Sequence, residues 1–212
     1  MKTRESKLQT WESDETDASA LPLIRVAGIC GIAAPITAFS TILISVALSP
    51  WFSWSRNALS DLGVSSVAAI FNGGLALAGV LNFVFALGIR KMLTPSKLGY
   101  VGSALLFVVG VLSILVAMIT EQYSLSHLTL SLATFTLTPI AFLTIGAALI
   151  QRKSTLTGFL TVVLALSALI AIFGIPRQGW ATPEIMFAVL LASWSIGMGT
   201  KMLFTKPSTR SG

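Results

Sequence analysis

Six long apolar runs decide what this chain can become. They cover about Ile24–Leu48, Val67–Ile89, Leu98–Thr120, Leu128–Ile150, Leu156–Ile175 and Ile185–Phe204 of a 212-residue sequence. A helix of roughly 20–25 residues, rising about 1.5 Å per residue, crosses a hydrocarbon core of about 30 Å. Glycines and prolines inside the runs, Pro35 and Pro139 among them, are tolerated in membrane helices. Only 10% of the residues are charged, where a soluble domain carries about a quarter, which argues against a water-soluble fold. The expected fold is all-α: a polytopic bundle of six transmembrane helices with a short interfacial helix between the first two.

The expected bundle occupies 23–205. Before it, residues 1–22 mix both signs of charge with Ser and Thr and show no sustained period, which predicts a flexible tail. A second short tail follows at 206–212. Charge orients the whole. Twelve of the fourteen basic residues fall before or at the very start of the first run, in the second and fourth connections, or at the end of the last run and the C-terminus; Arg56 and Arg177 lie on the opposite side. Basic residues collect on the cytoplasmic face, so both termini are expected in the cytoplasm and the protein in the plasma membrane. The net charge of +6 then reflects topology and implies no nucleic acid. Beyond the tail the acids are Asp61, Glu121 and Glu184, all on the outer side with His127. No charge lies deep within a run, which argues against a proton relay or voltage sensor.

Cys30 stands alone, so no disulfide closes within the chain, and a single histidine cannot build a multi-histidine zinc or bis-histidine haem site. Neither a metal nor another cofactor is expected.

Candidate chemistry concentrates at the outer connections. In Trp51–Gly63, WFSWSRNALSDLG, helical spacing groups Trp51, Trp54, Ala58 and Leu62 on one face, with Ser53, Arg56, Asn57 and Ser60 on another. That pattern predicts an amphipathic helix in the interface, its tryptophans in the headgroup belt, ending at Gly63 as a left-handed cap. The next helix is expected to start at Ser65 or Ser66. Asp61 then stands paired with Arg56 or Arg177, turned back on its own backbone in an Asx-type turn, or free for a ligand or for catalysis. His127 follows Ser126, a plausible helix cap, and shares a helical face with Ser131, Thr134 and Thr138. A similar row, Thr37, Thr41, Ser45 and Ser49, runs along the first helix. The two rows either line one outer cavity or satisfy their hydroxyls on carbonyls one turn back. Glu121, near His127, is an orienting partner for the imidazole, half of a metal site with it, or a solvated loop residue. Thr182-Pro183-Glu184 reads as a helix start, with Glu184 structural. Asn72 and Asn82, with Gly73, Gly74 and Gly79, read as packing contacts of the second helix.

Asn57-Ala58-Leu59-Ser60-Asp61-Leu62-Gly63, Phe71-Asn72 at the next helix, and an acid followed by His127 together resemble the prokaryotic six-helix membrane family known as domain of unknown function 998. The Ser-Asp-x-Gly element is also distantly similar to the loop of the Frag1/DRAM/Sfk1 membrane proteins. The resemblance implies a six-helix fold, a membrane location, and Ser60, Asp61 and His127 as positions of interest. It implies no reaction. The family's proline-containing acidic stretch before the histidine is reduced here to Thr120-Glu121.

The leading expectation is recognition of a lipid headgroup or membrane partner at the outer rim, with Arg56 and Arg177 on phosphate and Asp61 orienting the loop beside Ser60. An enzyme acting on lipid, with His127 as general base or metal ligand beside Asp61 and Glu121, requires those three side chains to meet. A small-solute transporter requires a polar path past Thr41 and Thr134 to the inner side. Oligomeric state is not legible.

Overall fold

The structure, a computed structural model, describes residues 20–175 and 178–205. Each apolar run becomes one helix: α1 (Leu21–Ala47), α2 (Ala68–Met92), α3 (Lys97–Met118), α4 (Ser124–Gln151), α5 (Thr155–Leu169) and α6 (Ala181–Leu203). In lipid a chain has no water to satisfy its amides, so each run closes its own backbone hydrogen bonds. A π-helical turn, Ile170–Gly174, prolongs α5. Two 3-10 turns, Leu59–Val64 and Glu121–Tyr123, sit in the first and third connections.

Successive helices run up and down and pack side by side, and α6 closes the ring against α1. Antiparallel succession gathers Arg25, Arg90, Lys91, Lys97, Arg152, Lys153 and Lys201 at one end of the bundle. Arg56, Asp61, Glu121 and Glu184 lie at the other. These are the basic and the acidic end below. Large apolar side chains such as Ile29, Leu77, Leu156 and Leu160 are exposed around the outside, and all six helices are long and apolar enough to cross a bilayer. The chain is an integral membrane protein.

The basic half of the bundle is solid. Ile24, Phe85, Ile89, Phe142, Ile145, Trp194, Met198 and Met202 are buried in one cluster. Trp194 stacks at 4.1 Å on Phe142 and meets Phe85 edge-on at 5.6 Å. Its indole Nε1 donates to Thr161 Oγ1 at 3.0 Å, so the one polar atom of this aromatic layer is satisfied. Small residues set the spacing of α1, α2 and α3. A Cβ on Gly74 would run into the Thr41 hydroxyl, and one on Gly79 would lie 2.8 Å from the Gly110 carbonyl oxygen. Asn82 Nδ2 donates to Leu106 O at 3.3 Å across the α2–α3 seam, the packing role its place in a span predicts.

Several local expectations give way. Trp51–Gly63 is not one amphipathic helix but a run of turns ending in the 3-10 segment. Side chains compete for its amides: Ser53 N donates to Asn57 Oδ1 at 2.9 Å, and Ala58 N to Asp61 Oδ2 at 3.2 Å. Trp51 and Trp54 are accordingly exposed while Leu62 is fully buried, so no single face holds all three. Gly63 is not left-handed, as no glycine in the described residues has a positive φ. It is small because a Cβ there would lie 2.6 Å from Asn72 Oδ1. Neither Ser65 nor Ser66 caps α2; Ser65 Oγ donates to Leu62 O at 2.8 Å, and the helix begins after Val67. Helix α4 begins at Ser124, so Ser126 is no cap and His127 lies one turn inside. Helix α6 begins at Ala181, and the Thr182 hydroxyl, instead of capping it, donates to Trp54 O at 2.8 Å. Leu21 and Pro22, the last residues of the expected N-terminal tail, already belong to α1, where proline suits the first turn; Arg177, the rest of that tail up to residue 19, and residues 206–212 lie outside the described residues.

Candidate functional site

The first connection folds back over the acidic end because it is hydrogen-bonded to α6. Ala181 N donates to Asn57 O at 2.8 Å, Thr182 to Trp54 O, and Leu59 N donates to Glu184 Oε2 at 2.7 Å. On the α2 side, Asn72 Nδ2 donates to Gly63 O at 2.9 Å. Leu59, Leu62, Val67, Phe71 and Ala181 form a small buried cluster beneath the loop. Within the loop, Asp61 Oδ2 accepts from Asn57 Nδ2 at 2.6 Å and from Ala58 N at 3.2 Å. Asp61 therefore holds the 3-10 turn through Asn57 and the backbone, and among the described residues no arginine pairs with it. The Arg56 side chain stays on the exposed surface.

Of the expected site residues, this folded loop brings Ser60, Asp61, Glu121 and His127 together and leaves Arg56 outside. Asp61 and Ser60 meet the carboxyl of Glu121, and His127 stands close enough to act on it electrostatically. Glu121 Oε2 is shut off from solvent and has no hydrogen-bond partner. Two carboxylates brought face to face repel, and a proton or a cation between them relieves the cost. His127 is 9% exposed, and its Nδ1 lies 2.7 Å from Ile119 O. A carbonyl only accepts, so Nδ1 carries the hydrogen and, in the neutral ring, Nε2 is left as an acceptor. No group of three or more His, Cys, Asp or Glu suited to a metal ion occurs among the described residues.

Below this cluster lies a cavity of about 240 Å³, well above the roughly 150 Å³ in which an apolar cavity takes up benzene. Ser60, Asn72, Glu121, His127 and Glu184 line its acidic end. Its walls are apolar side chains of α1, α2, α3, α4 and α6, among them Ala38, Leu75, Val109, Phe135 and Leu191. From Glu184 to Ser195, both on the lining, α6 advances about 17 Å, a little over half a hydrocarbon core. Toward the basic end the cavity stops at Leu106 and Phe142, against the Trp194 layer.

A family model described as "Protein of unknown function (DUF998)" matches residues 32–201. The chain belongs to this family. The match takes in the folded loop, Glu121, His127, Glu184 and the cavity-lining stretches of all five helices. Comparison with curated proteins and with solved structures finds no match for the chain. The DUF998 description assigns no activity, so the chemistry rests on the geometry.

Of the two hydroxyl rows, only that of α4 lines the cavity, through Ser131, Thr134 and Thr138 below His127. Thr134 and Thr138 still donate to carbonyls one turn back, at 2.9 and 2.7 Å. In α1, Thr41 faces Gly74, while the buried hydroxyls of Ser45 and, just past the helix end, of Ser49 have no partner. Glu184, expected only to favour a helix start, also pins the loop and rims the cavity. Asn57 was hidden as a face residue of a helix that does not form; its spacing of four from Asp61 is the signal that both belong to one turn. Asn72, read as packing, lines the mouth.

Proposed function

We propose that this DUF998 protein binds a membrane lipid from the outer leaflet, with the tail in the cavity and the headgroup at the Ser60–Glu121–His127 mouth. The observation that carries the reading is the cavity's one-ended charge: ionisable groups rim one end, and the rest is mostly apolar down to a packed aromatic floor, with the Thr134 and Thr138 hydroxyls turned back onto their own helix. Such a lining matches an amphiphile, because tail burial supplies affinity and a few polar groups fix orientation. The aromatic floor also favours binding over passage of a solute to the other side. In this reading Arg56, on the exposed loop surface, meets phosphates of the surrounding bilayer, and the bias of basic residues toward the other end supports an acidic end outside the plasma membrane with both termini cytoplasmic.

Native mass spectrometry of the full chain from its own membranes tests this. The wild type is expected to retain lipid, and Leu75→Trp or Ser131→Phe, which fill the cavity, to lose it. Retention of the same lipid by both filled variants sinks the reading. A second reading has its own observation: the Ile119 carbonyl fixes the His127 ring beside Glu121, as a general base requires. It predicts release of fatty acid from an ester or amide lipid, abolished in His127→Gln.

A further inference from the structure

We infer that the headgroup received at this mouth carries a protonated amine. The inference rests on the lipid-binding reading and narrows it. The ionisable groups on the cavity surface, Glu121, His127 and Glu184, all present acceptors, and among the described residues no lysine or arginine lines it. Glu184 already accepts from Leu59 N. Two acceptors are not so occupied. Glu121 Oε2 is closed to solvent and lacks a donor. His127, nine-tenths buried, spends Nδ1 on Ile119 O, which leaves Nε2 as the ring nitrogen with no hydrogen bond. Buried polar atoms are almost always satisfied, so the unfilled Glu121 oxygen, beside an imidazole nitrogen that makes no hydrogen bond, calls for a group rich in donors. An ammonium brings three donors and no acceptor. Its charge also answers the confrontation of Glu121 with Asp61, which no described cation neutralises. A phosphate or carboxylate head would set acceptors against acceptors and negative charge against negative charge. The apolar depth below the mouth then selects an amine that ends a hydrocarbon tail.

The test uses the full chain purified in dodecyl maltoside at pH 7, with bound probe counted by native mass spectrometry. Dodecylamine, dodecyl phosphate, dodecanol and ethanolamine are offered at equal free concentration. Dodecylamine is expected to bind at least about tenfold more tightly than dodecyl phosphate, the scale of one hydrogen bond to a charged group. Glu121→Gln should remove about that factor from dodecylamine and leave dodecanol unchanged, the unchanged dodecanol certifying the fold. If Glu121→Gln loses dodecanol as well, His127→Gln is judged by the same measure. Equal binding of amine and phosphate, or an amine preference that survives both substitutions, overturns the amine while the cavity reading stands. Failure of all three dodecyl probes overturns both. Ethanolamine is expected to bind far more weakly; if it matches dodecylamine, the amine stands and the lipid falls.

Discussion

Asp61→Ala should loosen the loop over the cavity, and Asp61→Asn should not. The aspartate's Oδ2 accepts from Asn57 Nδ2 at 2.6 Å and from Ala58 N at 3.2 Å, and alanine leaves both donors without that acceptor. A hydrogen bond to a charged group contributes about 1.5–3 kcal/mol, and loss of a helix-cap acceptor costs about 0.5–2 kcal/mol. Two terms reduce the sum. Asp61 is only half-buried, and its removal relieves the repulsion with Glu121. The net cost is about 1–2 kcal/mol, which raises the population of the open loop about 5–30-fold. Asparagine keeps an acceptor oxygen at the same place and lessens the repulsion, so it should hold the turn. Hydrogen exchange by mass spectrometry on a peptide covering 51–63 reads the difference, with a peptide from the buried part of α4 as reference. Faster exchange in the alanine variant alone is the expected result. Wild-type exchange in Asp61→Ala would refute the hydrogen-bond account, and equally fast exchange in both variants would show that charge holds the loop.

Gly74 and Gly73 make a paired test of the α1–α2 seam. A side chain on Gly74 meets Thr41, whereas Gly73 has open space, so Gly74→Val should cost about 1–3 kcal/mol by overpacking and Gly73→Val far less. Thermal unfolding in detergent should separate the two by several degrees, and equal midpoints would mean that the close approach is not maintained. Topology is checked by labelling. With Cys30 replaced by serine, single cysteines at Ser53 and Lys153 should react with an impermeant maleimide from opposite sides of the membrane. Labelling of both from one side would invert or dissolve the orientation inferred from charge.

The fold was legible because its cause is long-range and crude. A run of about 20 apolar residues has few options in a bilayer, and the alternation of basic and acidic connections follows from helices that each cross once. All six runs became helices within a few residues of their expected bounds. The acidic connections were harder because they obey local chemistry. A helical reading of Trp51–Gly63 follows from the spacing of Trp51, Trp54, Ala58 and Leu62, but Asn57 and Asp61 occupy the amides such a helix needs. Helix starts slipped for the same kind of reason. Thr182 and Ser65 are good caps in isolation, yet each spends its hydroxyl on the loop, Thr182 on Trp54 O and Ser65 on Leu62 O. Once a second segment competes for a hydroxyl, local propensity no longer decides where it goes.

Glu121 shows how far the candidate site could be read from the chain. Between the third and fourth runs it is one carboxylate in a polar connection, and its sequence neighbours do not distinguish a solvated residue from a working one. What sets it apart is the fold of a different connection. Asn57 and Asp61 turn the first loop inward, Glu184 and Ala181 fasten it to α6, and Asp61 is thereby carried against Glu121. Leu59, Leu62 and Phe71, buried beneath the loop, stabilise that placement by about 1.5–3 kcal/mol for each fully buried side chain, enough to outweigh the contact of two acids. The unfilled acceptors at the mouth are therefore held in place by packing elsewhere and do not need a ligand to assemble. It follows that Glu121→Gln should leave the loop folded and change only what the cavity accepts, whereas Leu62→Ala should loosen the loop with every ionisable group still present.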